Sequence, residues 1–338
     1  MAGRARIKDV ALAAGVSTAT VSRALSNPER VEKSTRDRVL KAVRATGYRI
    51  NAAARDLRSR RARAILVLVP NLANTFFSRI IASITEAAET EGLAVQVADS
   101  RGDPARLAAL AHDGRADGIV LLDGSLDAEM VRSWTLPVVL LCEWNPDYGL
   151  SGIGTDNAEA ARTAVAHLAG LGHRSLLHVA GPAGNDIAEA RSEGFLAACA
   201  ALNLQGTVVP GDFTMASGEA AVASWAEDRC ATALFCASDE CAIGAIGALR
   251  RLGLNVPSDI SVVGFDDIDF AARFIPALTT LHQPRAAFGR EAAERMIALL
   301  RLEDEADMFR ILMPSELVIR ESTAAPPGVA VRGAQGSA

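Results

Sequence analysis

The sequence has few cysteines, few aromatic residues and no long apolar stretch. Five of its 338 residues are cysteine, and no two form a Cys-x-x-Cys pair. An odd number without such pairs argues against a disulfide framework and predicts small buried thiols in a reducing compartment. No apolar run reaches about 18 residues and no signal peptide precedes the basic N-terminal segment, so we expect a cytoplasmic protein without membrane spans.

Signatures of common enzyme classes are also missing. Residues 152–154 (GIG) are not followed by the rest of a dinucleotide fingerprint, and neither a P-loop nor a GxSxG elbow occurs. His167, His173 and His178 run from a predicted helix through a turn into a strand, and no cysteine or carboxylate completes a metal site with them. We therefore expect no catalytic constellation, no metal and no cofactor.

A pair of short amphipathic helices is present near the N-terminus. Over residues 7–14 apolar side chains recur at i, i+3, i+4 and i+7, which predicts a helix with one apolar stripe. Gly15 permits a tight turn, and Ser17 can cap a second helix that turns Val21 and Leu25 towards the first. The opposite face of the second helix is left with small or polar side chains and one cation: Thr18, Ala19, Ser22 and Arg23.

Such a pair is typical of a helix-turn-helix, although an ordinary helical hairpin with a solvated face has the same spacing. A third helix opens at Ser34 and Thr35, with Val39, Leu40 and Val43 as its apolar side. Residues 1–61 carry 15 Lys or Arg against 5 Asp or Glu (+10), which leaves 20 against 35 (−15) for the rest. A basic head on an acidic body favours a nucleic-acid-binding module joined to another function.

Residues 51–58 (NAAARDLR) predict a fourth helix of two turns, which is too short to be stable alone and needs a partner or DNA. Leu57 is its one large apolar side chain. An apolar wedge of this kind can enter a minor-groove base step, whereas the alternative is a coiled linker with an isolated leucine.

The remaining chain alternates short apolar strands with amphipathic helices. Near-continuous apolar strands with helical crossovers indicate parallel sheets covered on both faces, and about 260 residues suit two lobes. Ligands bind such sheets beyond the carboxyl ends of the strands. The polar and aromatic candidates at these ends are Asn74-Thr75-Phe76-Phe77, Glu143-Trp144, Arg191, Phe213, Ser238-Asp239 and Asp266-Asp267. The alternatives are that the phenylalanines only pack at a helix start, that Arg191 is a solvated cation and that the aspartates cap a turn. The predicted strands are residues 64–69, 93–98, 118–122, 138–142, 176–180, 232–237 and 260–265.

Residues 7–58 resemble the DNA-binding headpiece of the lac-repressor family in the pattern DVAxxAGVSxxTVSRxL and in Tyr48, Asn51, Ala54 and Leu57. The body, including VPNLANTFFSRI, GHRSLLHVAG and ISVVGFDD, resembles the effector-binding core of that family, which is similar to periplasmic sugar-binding proteins. Within the family the chain is most similar to the cytidine-type regulators. It departs from the family at Ile50, where a proline is usual, and at Cys142, where an acid is frequent.

The resemblance implies roles for individual residues. Thr18, Ala19 and Arg23 would read bases. Ser17, Thr20, Ser22 and Tyr48 would position the headpiece on the DNA backbone. Asn51, Ala54 and Leu57 would belong to the minor-groove hinge helix. In the core, Phe76 and Phe77 would line a pocket, Phe213 would stack on a ring and Arg191 would anchor a polar group. Asp266 would accept from hydroxyls, with further hydrogen bonds from Ser238 and Gln283.

The resemblance also implies a domain organisation. The fold class is an all-α helix-turn-helix headpiece followed by an α/β, periplasmic-binding-protein-like core of two doubly wound parallel-sheet lobes. The headpiece covers residues 1–50, the hinge helix and linker 51–62, and the core 63–323. Lobe one takes 63–155 and 284–313, lobe two takes 157–282 and 315–323, and the low-complexity residues 324–338 are expected to be disordered.

The expected function is that of a ligand-responsive transcription regulator, a repressor that binds a near-palindromic double-stranded DNA operator as a homodimer. A sugar or nucleoside-type effector would bind between the lobes. One alternative is a transport-type sugar receptor, which would need a signal peptide and would lack the basic helix-turn-helix. The other is a sugar- or nucleoside-processing enzyme, which turnover of candidate ligands would reveal.

We expect Arg23→Ala to weaken operator binding by about 1–3 kcal/mol, because a bidentate arginine contact to a base edge contributes a discrimination of that size. Titration of the operator with the variant and the unaltered protein measures the difference. Unchanged affinity would reject a base-reading role for Arg23.

Overall fold

The computed structural model describes residues 5–48, 61–301 and 308–327. Its chain divides into two units, residues 1–62 and residues 63–338. The predicted hinge residues Asn51, Ala54 and Leu57 lie outside the described residues.

The described part of the first unit is a small helical bundle. Its apolar centre contains Val10, Val21 and Val39, each with no exposed surface. Gly15, at φ 64°, ends the first helix in the left-handed conformation, and the backbone N–H of Thr20 donates to Ser17 Oγ at 3.1 Å. The turn and the cap predicted from the sequence are therefore present. The helices are α1 (Ile7–Ala14), α2 (Thr18–Ser26) and α3 (Lys33–Thr46).

The third helix turns a different set of side chains inward from the predicted one. Val39 and Ala42 are buried and Val43 packs against them, whereas Leu40 is 37% exposed. Successive residues are about 100° apart around a helix, so Leu40 points away when Val39 faces the bundle. The prediction was wrong at Leu40. It placed the large apolar Leu40 on the buried side of the helix, whereas the structure places the small Ala42 there, against the neighbouring helices.

The second unit contains two six-stranded sheets, each formed around a parallel core. The strands of the first sheet are β1 (Ala64–Val69), β2 (Ala94–Asp99), β3 (Gly118–Leu121), β4 (Val138–Leu141), β5 (Gly152–Thr155) and β11 (Arg310–Met313). Those of the second are β6 (Ser175–Val179), β7 (Gln205–Val209), β8 (Ala233–Cys236), β9 (Ser261–Asp266), β10 (Thr279–His282) and β12 (Glu316–Val318).

The strand order shows two doubly wound lobes. The first sheet runs β11-β5-β4-β3-β1-β2 with every pair parallel, and the second runs β12-β10-β9-β8-β6-β7 with only β12 antiparallel. The chain passes between the sheets after β5, after β10 and after β11. This arrangement confirms the fold class predicted from the sequence.

Helices cover the sheets, and buried strands explain the apolar runs of the sequence. Every residue of β1 and β9 is buried. Among the helices of the described ranges, none combines the length and the apolar character that crossing a membrane requires. The helices of this unit are α4 (Phe76–Thr90), α5 (Pro104–His112), α6 (Ala128–Ser133), α7 (Asn157–Gly170), α8 (Asp186–Ala201), α9 (Met215–Asp228), α10 (Asp239–Arg251) and α11 (Arg285–Arg301).

Hydrogen bonds hold the C-terminal segment in place further towards the C-terminus than predicted. Ala324 N donates to Ser261 Oγ at 3.0 Å, and Ala324 O lies 2.9 Å from His173 Nε2. The predicted disordered segment therefore does not begin at Ala324, because this main chain satisfies polar groups at the edge of lobe two. Residues 328–338 lie outside the described part of the chain.

Helices α9 and α10 pack closely through two glycines. A Cβ on Gly218 would lie 2.0 Å from Cys241 O, and one on Gly244 would lie 2.0 Å from Met215 O. We expect Gly244→Ala to lower the free energy of unfolding by about 1–3 kcal/mol, because the two backbones would have to separate. Urea denaturation of the full chain measures this change.

Gly247→Ala, on the same helix α10, is the matched control. The nearest atom to its added Cβ would be Arg251 Nη1 at 3.7 Å, which is ordinary contact. Its unfolding free energy should stay the same or rise by up to about 1 kcal/mol through helix propensity. Equal losses in both variants would show that helix contact at Gly244 is not what limits stability.

Candidate functional site

A cavity of about 390 Å³ lies between the lobes, where the carboxyl ends of the strands meet. Loops that follow β1 to β4 and β6 to β10 line it, as expected for a ligand site of parallel sheets. The structure brings together all seven core residues singled out by the resemblance: Phe76, Phe77, Arg191, Phe213, Ser238, Asp266 and Gln283. We call this cavity the cleft.

Arg191 is a fixed cation in the wall of the cleft. It projects from α8 and is only 3% exposed. Its Nε donates to Asn157 Oδ1 at 2.9 Å and its Nη1 donates to Ala237 O at 2.5 Å. Its Cζ lies 3.6 Å from the ring centroid of Phe265. Burial lowers the pKa of Arg191, and the nearby carboxyl of Asp266 opposes that shift.

Asp266 and Gln283 form a hydrogen-bonded pair at the ends of β9 and β10. Gln283 Nε2 donates to Asp266 Oδ1 at 2.8 Å, and both residues are buried. Burial raises the pKa of Asp266 to about 6, although Arg191 favours the ionised form. Near neutral pH this carboxylate can accept a hydrogen bond from a ligand hydroxyl.

A second carboxyl group comes from Glu143 after β4, which was a strand-end candidate but had no role among those implied by the resemblance. Asn185 Nδ2 donates to Glu143 Oε2 at 3.0 Å. Burial raises the pKa of Glu143 to about 8, with a further contribution from the carboxyl of Asp123. The cleft thus holds one carboxyl group, Glu143, whose pKa lies above neutral and another, Asp266, whose pKa lies below it.

Asp123 is a further cleft residue that the sequence reasoning missed. Its Oδ1 accepts from Ser125 N at 2.9 Å and from Ser125 Oγ at 2.6 Å, while Ser100 Oγ donates to Oδ2. The signal was available, because Asp123 follows the apolar run of residues 118–122 directly. The strand-end rule that selected Asp266 applies equally there.

Aromatic rings supply the apolar part of the cleft. Phe76 and Phe77 meet edge to face with centroids 5.3 Å apart. Phe213 has the left-handed backbone φ of 67°, and its ring lies where a Cβ on Gly181 would approach to 2.3 Å. A left-handed conformation in a bulky residue indicates a functional or structural constraint. Here it directs the Phe213 ring against Gly181 and towards the cleft.

Ser238 holds this aromatic loop in place. Its Oγ donates to Phe213 O at 2.9 Å and accepts from Cys241 N at 3.1 Å, which also caps α10. Ser238 therefore positions Phe213 as well as lining the cleft.

The outer face of α2 is the second candidate site. Thr18, Ala19 and Arg23 are exposed there, while Val21 and Ala24 on the opposite side are buried in the bundle. Ser17 is exposed, and Thr20, Ser22 and Tyr48 are half-buried. A rigid helix with exposed hydroxyls and a guanidinium is suited to a DNA major groove.

The three histidines that were considered as metal ligands form hydrogen bonds within the core instead. His173 bonds to Thr232 Oγ1 at 2.8 Å and to Ser261 Oγ at 3.1 Å, and His167 bonds to Thr323 Oγ1 at 3.0 Å. His178 Nδ1 lies 2.9 Å from Phe235 O, and burial lowers its pKa to about 4. Within the described ranges, no group of three or more candidate metal ligands is found.

Comparison with known proteins places both sites in one family. Residues 6–51 match the family described as "Bacterial regulatory proteins, lacI family", and residues 165–323 match a periplasmic binding protein-like domain. The HTH-type transcriptional repressor CytR of Escherichia coli (strain K12) is 38% identical, over 96% of this chain and 97% of that protein.

Solved structures agree with this match. The lac repressor dimer bound to operator and the anti-inducer ONPF aligns with a TM-score of 0.85 at 28% identity, over 96% of this chain and 100% of that one. A lacI family regulator from Enterococcus faecium with bound ribose aligns with a TM-score of 0.73 at 26% identity, over 78% and 99%. The resemblance identified from the sequence is confirmed: this chain belongs to the lacI family of bacterial regulatory proteins and is a transcription regulator with a DNA-binding headpiece and an effector-binding core.

Proposed function

We propose that the protein is a cytoplasmic repressor that binds a near-palindromic operator as a homodimer and responds to an uncharged, ring-containing sugar or nucleoside. The observation that carries this proposal is that one cleft, lined by both lobes, gathers a buried guanidinium, four carboxyl groups and aromatic rings. A sugar or nucleoside presents hydroxyls to the carboxylates and a ring face to Phe213.

On the DNA side, the exposed face of α2 supports a major-groove contact. We assign base reading to Thr18, Ala19 and Arg23, with Ser17, Thr20, Ser22 and Tyr48 positioning the headpiece. A homodimer would present two such helices to two half-sites, so a twofold-related operator follows from symmetry. The lac repressor structure contains a dimer on its operator, which supports this arrangement.

The coupling between cleft and headpiece follows from the connections between lobes. The chain crosses between the lobes three times beside the cleft, so closing the cleft changes the relative orientation of the lobes. An effector that binds one orientation more tightly shifts the equilibrium towards it. That shift would alter the spacing of paired headpieces and hence their grip on DNA.

A binding role is favoured over catalysis. The cleft carboxyl groups are held by Asn185, Gln283, Ser100 and Ser125 in fixed hydrogen bonds. No side-chain nucleophile with an adjacent base was identified in the sequence. The relative from Escherichia coli is itself called a transcriptional repressor.

The first experiment selects operator fragments from genomic DNA with the purified full chain and then footprints them. We expect a protected, near-palindromic site whose occupancy changes when D-ribose, cytidine or adenosine is added. Incubation of the same compounds with the protein should leave them unchanged. No sequence preference with any ligand would refute the regulatory role, and turnover of a ligand would favour an enzyme.

Phe213→Ala tests the effector site directly. We expect affinity for the bound compound to fall about tenfold or more, because ring stacking of this kind contributes on the order of 1–3 kcal/mol. Operator affinity without effector should be unchanged. Phe270→Ala is the matched control, since Phe270 is 57% exposed and does not line the cleft. Equal effector affinity in the unaltered protein and the Phe213 variant would remove Phe213 from the site.

A further inference from the structure

Glu143 is held in the cleft without a salt bridge in the part of the chain that the structure describes. Its Oε2 accepts from Asn185 Nδ2 at 3.0 Å. A Cβ on Gly124 would lie 2.9 Å from the same oxygen, so a side chain at that position would displace the carboxyl group. One oxygen is thus fixed in the wall, and the other oxygen of this cavity-lining residue remains for a ligand.

The surroundings of Glu143 are mostly uncharged or negative. Asp123 faces it from the loop after β3, and Asn185, Asp186 and Arg191 face it from the start and first turns of α8. Burial, the largest effect, and the carboxyls of Asp123 and Asp186 raise its pKa to about 8, although the Asn185 hydrogen bond and Arg191 oppose the shift. Cys142 precedes it in the chain, and the charged groups near that thiol include Asp266, Arg191 and Arg285.

We infer that Glu143 determines effector specificity as a neutral hydrogen-bond donor, whose O–H donates to an uncharged acceptor on the ligand such as a ring carbonyl, a ring nitrogen or a sugar oxygen. This inference rests on the proposed function, since it concerns the same cleft. It identifies the effector class as uncharged compounds that offer an acceptor at this point.

The same geometry disfavours phosphorylated ligands. Asp123, Asp212 and Asp266 also line the cleft, and each carries a negative charge when ionised. The buried cation Arg191 is already bonded to Asn157 and Ala237. Arg101 is the other cation among the lining residues, and it is exposed to solvent, where its attraction for an anion is screened.

The decisive measurement is the affinity of cytidine, adenosine and D-ribose for the full chain, by calorimetry from about pH 6.5 to about pH 9.5. Below about pH 8 we expect a constant dissociation constant. Above that pH it should rise towards about tenfold per pH unit, because the ligand needs a proton that Glu143 has lost. A probe that binds with pH-independent affinity would overturn the inference while leaving the proposed function intact.

Glu143→Gln keeps a neutral donor and an acceptor for Asn185. We expect its affinity to stay within about threefold of the unaltered protein at pH 7 and to be independent of pH. Glu143→Met lacks the donor and should bind about tenfold more weakly at pH 7. Glu193→Gln is the control, because Glu193 is exposed on α8 away from the cleft and should keep the pH dependence. If the Glu143→Gln variant keeps the pH dependence of binding, a group other than Glu143 causes that dependence.

The nucleoside 5′-monophosphates provide a second test of ligand class. Each should bind at least about tenfold more weakly than its nucleoside, through repulsion from the cleft carboxylates. Tighter binding of the monophosphate would contradict the inference. If neither sugars nor nucleosides bind at pH 7, the proposed effector class fails and this inference fails with it.

Thermal unfolding without ligand tests the charge state separately. A carboxyl group whose pKa is raised by folding stabilises the protein less as pH rises from its unfolded pKa towards about 8. The melting temperature of Glu143→Gln relative to the unaltered protein should therefore increase over that range. A constant difference would show that Glu143 is ionised in the folded protein, which would overturn the inference even if effector binding is found.

Discussion

The burial of one guanidinium imposes the strongest constraint on the core. A buried cation is costly unless acceptors replace its lost water, and Arg191 meets this need with Asn157 Oδ1 and Ala237 O. Asn157 begins α7 immediately after the chain first crosses between the lobes, and Ala237 follows β8. The same side chain therefore fixes a crossing point, a strand end and the wall of the cleft. The carboxyl of Asp266 is tolerated there partly because Arg191 favours its ionised form.

Much of this arrangement could be predicted from the sequence, because a buried parallel strand is apolar on both faces. The seven apolar runs correspond to β1–β4, β6, β8 and β9, within one or two residues. The strands that were not predicted lack that signal. β5 (GIGT) is short and half glycine, β7 is a partly exposed edge strand, and β12 has only three residues. Their pairing is decided by neighbours distant in sequence.

The cleft was predicted less completely than the fold. The rule that ligands bind at strand ends selected most of the cleft residues, and the resemblance added Gln283. Those that the rule selected are Phe76, Phe77, Glu143, Arg191, Phe213, Ser238 and Asp266. Neither supplied Asn185, because it lies six residues beyond a strand that ends at Val179 and is identified by its contact with Glu143. The raised pKa of Glu143 is also invisible in the sequence, because it depends on burial and on the neighbouring carboxyls of Asp123 and Asp186. Leu40 shows the same limit in the headpiece, where helix orientation depends on tertiary contacts.

Regulation requires that the ligand distinguishes two arrangements of the lobes, since a ligand with equal affinity for both shifts nothing. Phe76, Phe77 and Glu143 belong to lobe one, whereas Arg191, Phe213 and Asp266 belong to lobe two. A ligand that touches only one set binds open and closed forms alike. In the proposed site, a ligand long enough to accept from Glu143 while stacking on Phe213 would make both contacts only when the lobes are close. With polar groups on both walls, recognition of the effector in the proposed site and closure of the cleft would occur together.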